Sequence, residues 1–149
     1  MSQSPDDVVP RLLQTVLDTT DARGLAEFYR QLLGLRYRPG DEPPGGRPDP
    51  RGSEWLVLVD QAGGPRVAFQ QVLRLPRATW PEGPIPQQLH LDLTVSDEEQ
   101  LDRQHQRALA LGAALLRDGS SEAQEPIRVY ADPAGHTFCI LVRPPAANR

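Results

Sequence analysis

The run HLDLTVSD at residues 90–97 alternates His90, Asp92 and Thr94 with Leu91, Leu93 and Val95. A strand there carries an imidazole, a carboxylate and a hydroxyl on one face and an apolar stripe on the other. Imidazole and carboxylate side by side can handle protons: Asp92 can orient the ring or act as a general base. His90 itself reads three ways, as an inward imidazole bonded to a neighbouring strand, as a ligand contact, or as a metal ligand. The single cysteine, Cys139, permits neither an internal disulfide nor a four-cysteine zinc site. It alternates with Phe138 and Ile140, which suits packing, and no local basic residue marks it as an activated nucleophile. All 16 basic residues are arginine, so Schiff-base chemistry, a pyridoxal anchor and a Walker-type phosphate loop, each of which needs a lysine amine, are excluded.

The 149 residues suit one domain, and a formal charge of −4 without a basic block argues against nucleic acid as a partner. The acidic opening MSQSPDDVVPRLL lacks the apolar core of a secretory signal, and no stretch has the roughly 20 apolar residues that span a bilayer. The expectation is a cytoplasmic protein that does not meet a membrane. Sixteen prolines concentrate in Pro39–Pro50 and Pro76–Pro86 and mark loops between periodic segments. The first is expected to be a surface loop. Trp80, among the prolines of the second, is either a lid over a binding site or an anchor for the linker.

The elements that must position these side chains come as a repeat. QTVLDTTD at 14–21 and HLDLTVSD at 90–97 are offset by 76 residues, pairing Gln14 with His90, Leu17 with Leu93 and Asp21 with Asp97. In the first copy Gln14, Val16 and Asp18 share one face. Helical spacing follows each run. Ala22, Leu25, Phe28, Tyr29, Leu32 and Leu33 line the first helix, which Gly34 stops. The second opens at Ser96 with Glu99 in capping-box spacing, buries Leu101, Ala108 and Leu109, and ends at Gly112. Strand signals then fall at 36–38, 54–59 and 66–72, and again at 114–116, 127–131 and 137–142. The order predicts two βαβββ units, about 12–75 and 87–143, joined by a linker at 76–86, in one α+β domain. Neither unit is large enough to bury a sheet face and a helix well alone, so the two should pair. Trp55 is expected in the core and His105 partly buried on its helix. His136, after Gly135, is expected to be a solvated turn residue, and Arg128 and Tyr130 to lie on a solvated edge.

Three segments together, DARGLAEFYRQLLG at 21–34, HLDLTVSD at 90–97 and DPAGHTFCIL at 132–141, resemble the glyoxalase/bleomycin resistance protein/dioxygenase group, the vicinal oxygen chelate superfamily. The stretch WPEGPIPQQLHLDL at 80–93 resembles a bacterial glyoxalase-like subgroup. The resemblance implies that paired βαβββ modules form a cup-shaped sheet with the site inside it, and that two chains build or complete that cup as a homodimer. It implies a metal-ligand position on the first and last strand of each module. These positions match Gln14 and His90, then Cys139, and either Ala68 or Gln70, of which Gln70 fits the subgroup's Phe-Gln pattern.

This quartet of Gln14, Gln70, His90 and Cys139 carries no carboxylate where metal enzymes of the resembled kind have Glu, and two of its members are neutral amides. A tightly bound catalytic metal is therefore not expected, and no cofactor is predicted. The expected function is small-molecule binding, by sequestration or metal-independent catalysis, with Gln14, Gln70, Trp80, His90, Thr94 and Cys139 contacting the ligand and Asp92 as base. The alternative is a lyase or isomerase that uses a divalent metal on His90 and Cys139. Strand parity predicts that Gln14, Gln70, His90, Asp92 and Cys139 face one cavity.

Overall fold

The computed structural model describes residues 9–64 and 66–144. Strand β1 (Thr15–Thr19), helix α1 (Ala22–Leu33) and strands β2 (Arg36–Tyr37), β3 (Trp55–Val59) and β4 (Val67–Gln71) form the first module. Strand β5 (Leu91–Val95), helix α2 (Glu98–Leu111) and strands β6 (Ala114–Gly119), β7 (Ile127–Ala131) and β8 (Thr137–Val142) form the second. The sheets have the orders β1-β4-β3-β2 and β5-β8-β7-β6. In each, the first strand runs parallel to the last and the other pairs are antiparallel. The 76-residue offset carries β1 onto β5 residue for residue.

Asp21 and Asp97 cap the two helices, accepting from Gly24 N at 3.0 Å and Gln100 N at 2.8 Å, and Gly34 and Gly112 close them with left-handed backbones. The cap of α2 is thus Asp97 and not Ser96. Its carboxylate stands directly before the first helical residue, whereas Glu99 pairs forward with Arg103 at 3.1 Å instead of reaching back. Leu109 is exposed, because α2 turns only a narrow stripe holding Leu101 and Ala108 inward.

Both helices lie against one merged core. Leu17, Leu56, Leu58 and Phe69 of the first sheet pack with Tyr130, Phe138 and Ile140 of the second. Phe28 and Tyr29 of α1 join the two sheets: Tyr29 stacks on Phe69 with ring centroids 5.9 Å apart, and Phe28 meets Phe138 at 5.9 Å. Such aromatic pairs each add about 0.5–1.5 kcal/mol beyond their area burial.

Three expectations about individual residues change. β7 lies between β6 and β8 with α2 over its helix side, so Tyr130 is fully buried and bonded to His105 Nδ1 at 2.8 Å. On the same side Arg128 is buried and paired with Asp102 at 3.0 Å and Asp118 at 3.2 Å, so neither residue lies on a solvated edge. Trp55 is only half-buried, because its register partner is Gln70 on the face turned away from the helices. The Pro39–Pro50 loop is mostly exposed but folds around Asp41, which is fully buried and bound by Arg38, Arg51 and the Val57 amide.

Candidate functional site

Strand alternation leaves two polar surfaces on the faces opposite the helices. On the first sheet, Asp18 and Gln70 are register partners and Val16 faces Ala68. On the second, Asp92 is the register partner of Cys139. His90 immediately precedes β5, and its Nε2 lies 3.3 Å from Asp92 Oδ1. The ligating atoms of His90, Asp92 and Cys139 all lie within 4.8 Å of one another. Burial, reinforced by the Asp92 carboxylate, pushes the Cys139 thiol up to about 11. A thiol so placed stays protonated at neutral pH and is a poor nucleophile.

The linker crosses both surfaces. Thr79 closes a loop onto Ile85, its hydroxyl donating to the Ile85 carbonyl and accepting from the Ile85 amide, both at 3.0 Å. Within that loop Trp80 packs on Val129, Cys139 and Leu141, covering the thiol from the side opposite the core. Further along, Leu75, Pro76, Pro84, Ile85, Pro86 and Leu89 roof a cavity of about 550 Å³, a size usual for small-molecule sites. Its floor is Val16, Asp18 and Gln70, and its end wall is the turn Ala134–Thr137. The His136 ring bonds to the Asp18 carbonyl through Nε2 at 2.6 Å, which joins the turn of the second module to β1 of the first. Two polar atoms of the wall, Thr137 Oγ1 and Gln87 Oε1, are buried without a hydrogen-bond partner.

The residues singled out by sequence thus divide between two places. His90, Asp92 and Cys139 cluster on the second sheet beside Trp80. Gln70 lines the cavity, whose wall contains none of those four residues. Gln14 is half-buried, with Oε1 unpartnered, outside that wall. Thr94 borders a smaller cleft of about 190 Å³ with Leu33 and Arg107. The cavity against the first sheet takes in Gln70 but not Gln14, His90, Asp92 or Cys139, because the linker crosses both faces and roofs this space apart from the second-sheet cluster. Asp18, Gln87, His136 and Thr137 belong to the wall and carry no sequence signal that marks them as site residues. Parity does set Asp18 on the face of Gln14; which turn residues it meets depends on how the modules pair.

As a metal centre, His90, Asp92 and Cys139 supply an imidazole, a carboxylate and a thiol, a donor set that suits a zinc-like ion with an open position. Such an ion would have to displace the thiol proton on binding. Asp92 provides the carboxylate that the quartet implied by the resemblance lacks.

Two βαβββ units with first and last strands parallel, their polar faces turned from the helices, define a protein of the vicinal oxygen chelate superfamily. The chain belongs to the Glyoxalase-like domain family, whose model matches residues 14–141. Among similar solved structures, a glyoxalase/dioxygenase from Nostoc punctiforme is 18% identical, with 97% of each chain covered and a TM-score of 0.66. A glyoxalase/bleomycin resistance protein/dioxygenase family enzyme from Burkholderia phytofirmans PsJN is 20% identical over 87% of this chain and 96% of that one, with a TM-score of 0.63. A mutant of the fosfomycin resistance protein FosX from Listeria monocytogenes, complexed with Mn(II) and 1S,2S-dihydroxypropylphosphonic acid, is 15% identical over 89% of this chain and 90% of that one, with a TM-score of 0.63. No curated protein matches this sequence. At these identities the structures share the fold.

Proposed function

We propose that the chain binds a small organic molecule in the cavity between its modules and acts without a tightly bound catalytic metal, by sequestration or by metal-independent chemistry. The observation that carries this reading is the apolar cavity of about 550 Å³ with Thr137 Oγ1 and Gln87 Oε1 left unpartnered in its wall. Buried polar atoms cost about 1–3 kcal/mol when unsatisfied, and a bound molecule with matching polar groups relieves that cost. Thr137 in the cavity wall shares a strand face with Cys139, two residues on, beside which lie His90 and Asp92. In a metal-independent reaction Asp92 is the base. A homodimer in the cytoplasm is part of the proposal, and the exposed Leu115 and Leu116 on edge strand β6 support the dimer.

The second reading is a metal-dependent lyase or isomerase. The convergence of His90, Asp92 and Cys139 within 4.8 Å favours it, as does Mn(II) in the FosX complex of like fold. Elemental analysis after purification without chelator, with a thermal-shift series over zinc, nickel, manganese and iron(II), separates the two, because an ion that binds the native state tightly raises Tm by mass action. The first reading expects less than a tenth of an equivalent of metal and no metal-dependent shift. One retained equivalent, lost in both His90→Ala and Cys139→Ala, replaces it with the second.

A further inference from the structure

If the cavity is the ligand site, as proposed above, the groups that line it limit the chemistry of its occupant. Its roof is mostly aliphatic, with Gln87 and Gln88 the polar members. At the end nearest the turn, the bond from His136 to the Asp18 carbonyl joins the turn to β1, and both Asp18 and Thr137 line the space. Asp18 is exposed, and its carboxylate accepts no hydrogen bond from the other described residues. Thr137 is 3% exposed with Oγ1 unpartnered. The His136 ring donates through Nε2, so in its neutral form Nδ1 keeps a lone pair.

No arginine lines this wall and the chain has no lysine. Its neutral donors are the Thr137 hydroxyl and the side-chain amides of Gln70, Gln87 and Gln88. The linker arginine beside it, Arg77, donates to the carbonyls of Pro133 at 3.0 Å and Asp132 at 3.4 Å. The turn offers no free amide nest either: the amides of Ala134 and His136 go to Asp132 Oδ1 and that of Gly135 to the Asp132 carbonyl. A ligand carboxylate or phosphate would face Asp18 with no compensating cation, whereas an ammonium finds a carboxylate and a hydroxyl oxygen in need of a donor.

We infer that the cavity takes an elongated, mainly apolar molecule bearing a basic nitrogen, with the ammonium held between Asp18 and Thr137. The test is displacement of the fluorescent probe N-phenyl-1-naphthylamine by n-octylammonium, 1-octanol and octanoate at neutral pH, on the wild-type chain and on the Asp18→Asn and Thr137→Val variants. Octylammonium should displace the probe at a concentration about 5-fold below that of octanoate, since one exposed ion pair is worth up to that order. Asp18→Asn should bring octylammonium within about 2-fold of octanol, the charge pair being gone. Thr137→Val should weaken octylammonium and octanol about 5-fold while leaving Tm unchanged or raised, because it removes a hydroxyl that has no partner in the free protein. Equal displacement by octanoate and octylammonium, or an unchanged ratio in Asp18→Asn, overturns the inference while the cavity remains the ligand site. If the probe does not bind, or no octyl compound displaces it, the cavity reading fails and the inference with it.

Discussion

The Tyr29 hydroxyl donates a 2.7 Å hydrogen bond to Asp132 Oδ2, joining the middle of α1 to the turn between β7 and β8 across 103 residues of sequence. Both partners are buried, and the other carboxylate oxygen holds the turn through the amides of Ala134 and His136. The same turn presents His136 and Thr137 to the cavity. One polar contact therefore fixes how the modules meet and where the end wall of the site stands.

Tyr29→Phe should destabilise the protein by about 1–3 kcal/mol, since it leaves a buried carboxylate oxygen without its donor. Burial already holds the Asp132 carboxyl above its ordinary range, against the lowering effect of Tyr29 and the turn amides. An acid with a raised folded-state value loses stability as pH rises from the unfolded value to the folded one. In chemical denaturation from pH 3 upward, stability measured relative to Asp132→Asn should show that fall, and Tyr29→Phe should steepen it. Parallel wild-type and Asp132→Asn profiles would remove Asp132 as a titrating buried group, since the rise contributed by the lowered carboxylates of Glu27, Asp49 and Asp118 cancels in that difference.

Cys139 should resist alkylation at neutral pH and react as the pH approaches about 11. Burial is the main cause and Asp92 the second, so Asp92→Asn should lower the reactive pH only in part. The thiol also links to stability: its folded-state value lies above the ordinary 9.0, so stability falls as pH rises between 9.0 and about 11. Rates of iodoacetamide labelling against pH read the ionisation directly, and a midpoint near 7 would mark an activated thiolate instead.

Trp80 is half-buried over Cys139, Val129 and Leu141. Trp80→Ala should cost about 1–3 kcal/mol, less than a fully buried tryptophan because only one side of the ring is covered. It should also speed labelling of Cys139, whereas Trp80→Phe should change both far less. Unchanged labelling in Trp80→Ala would show that the ring does not cover the thiol.

The elements were legible because their signals are local. The strand of His90, Asp92 and Thr94 declares its two faces by alternation, and Gly34 and Gly112 mark helix ends that only a residue tolerant of the left-handed region adopts freely. His90 and Cys139 came together as the motif order implied, with Asp92 beside them by parity. The cavity was not legible. It depends on where an irregular, proline-rich linker lies across two sheets, and that path is set by long-range contacts such as Arg77 to Pro133 and His136 to Asp18. Arg128 misled for a related reason: nothing near it in sequence announces that Asp102 and Asp118 will neutralise it beneath α2.

Residue-resolved amide shifts of isotope-labelled protein titrated with N-phenyl-1-naphthylamine show whether the ligand site is the cavity between the modules. A site in the cavity gives saturable shifts largest at Asp18, Gln87, Gln88, His136 and Thr137, with Asp92 and Thr94 nearly still. Shifts concentrated at His90, Asp92 and Cys139, with Asp18 and Gln87 unmoved, would place the site on the second sheet instead.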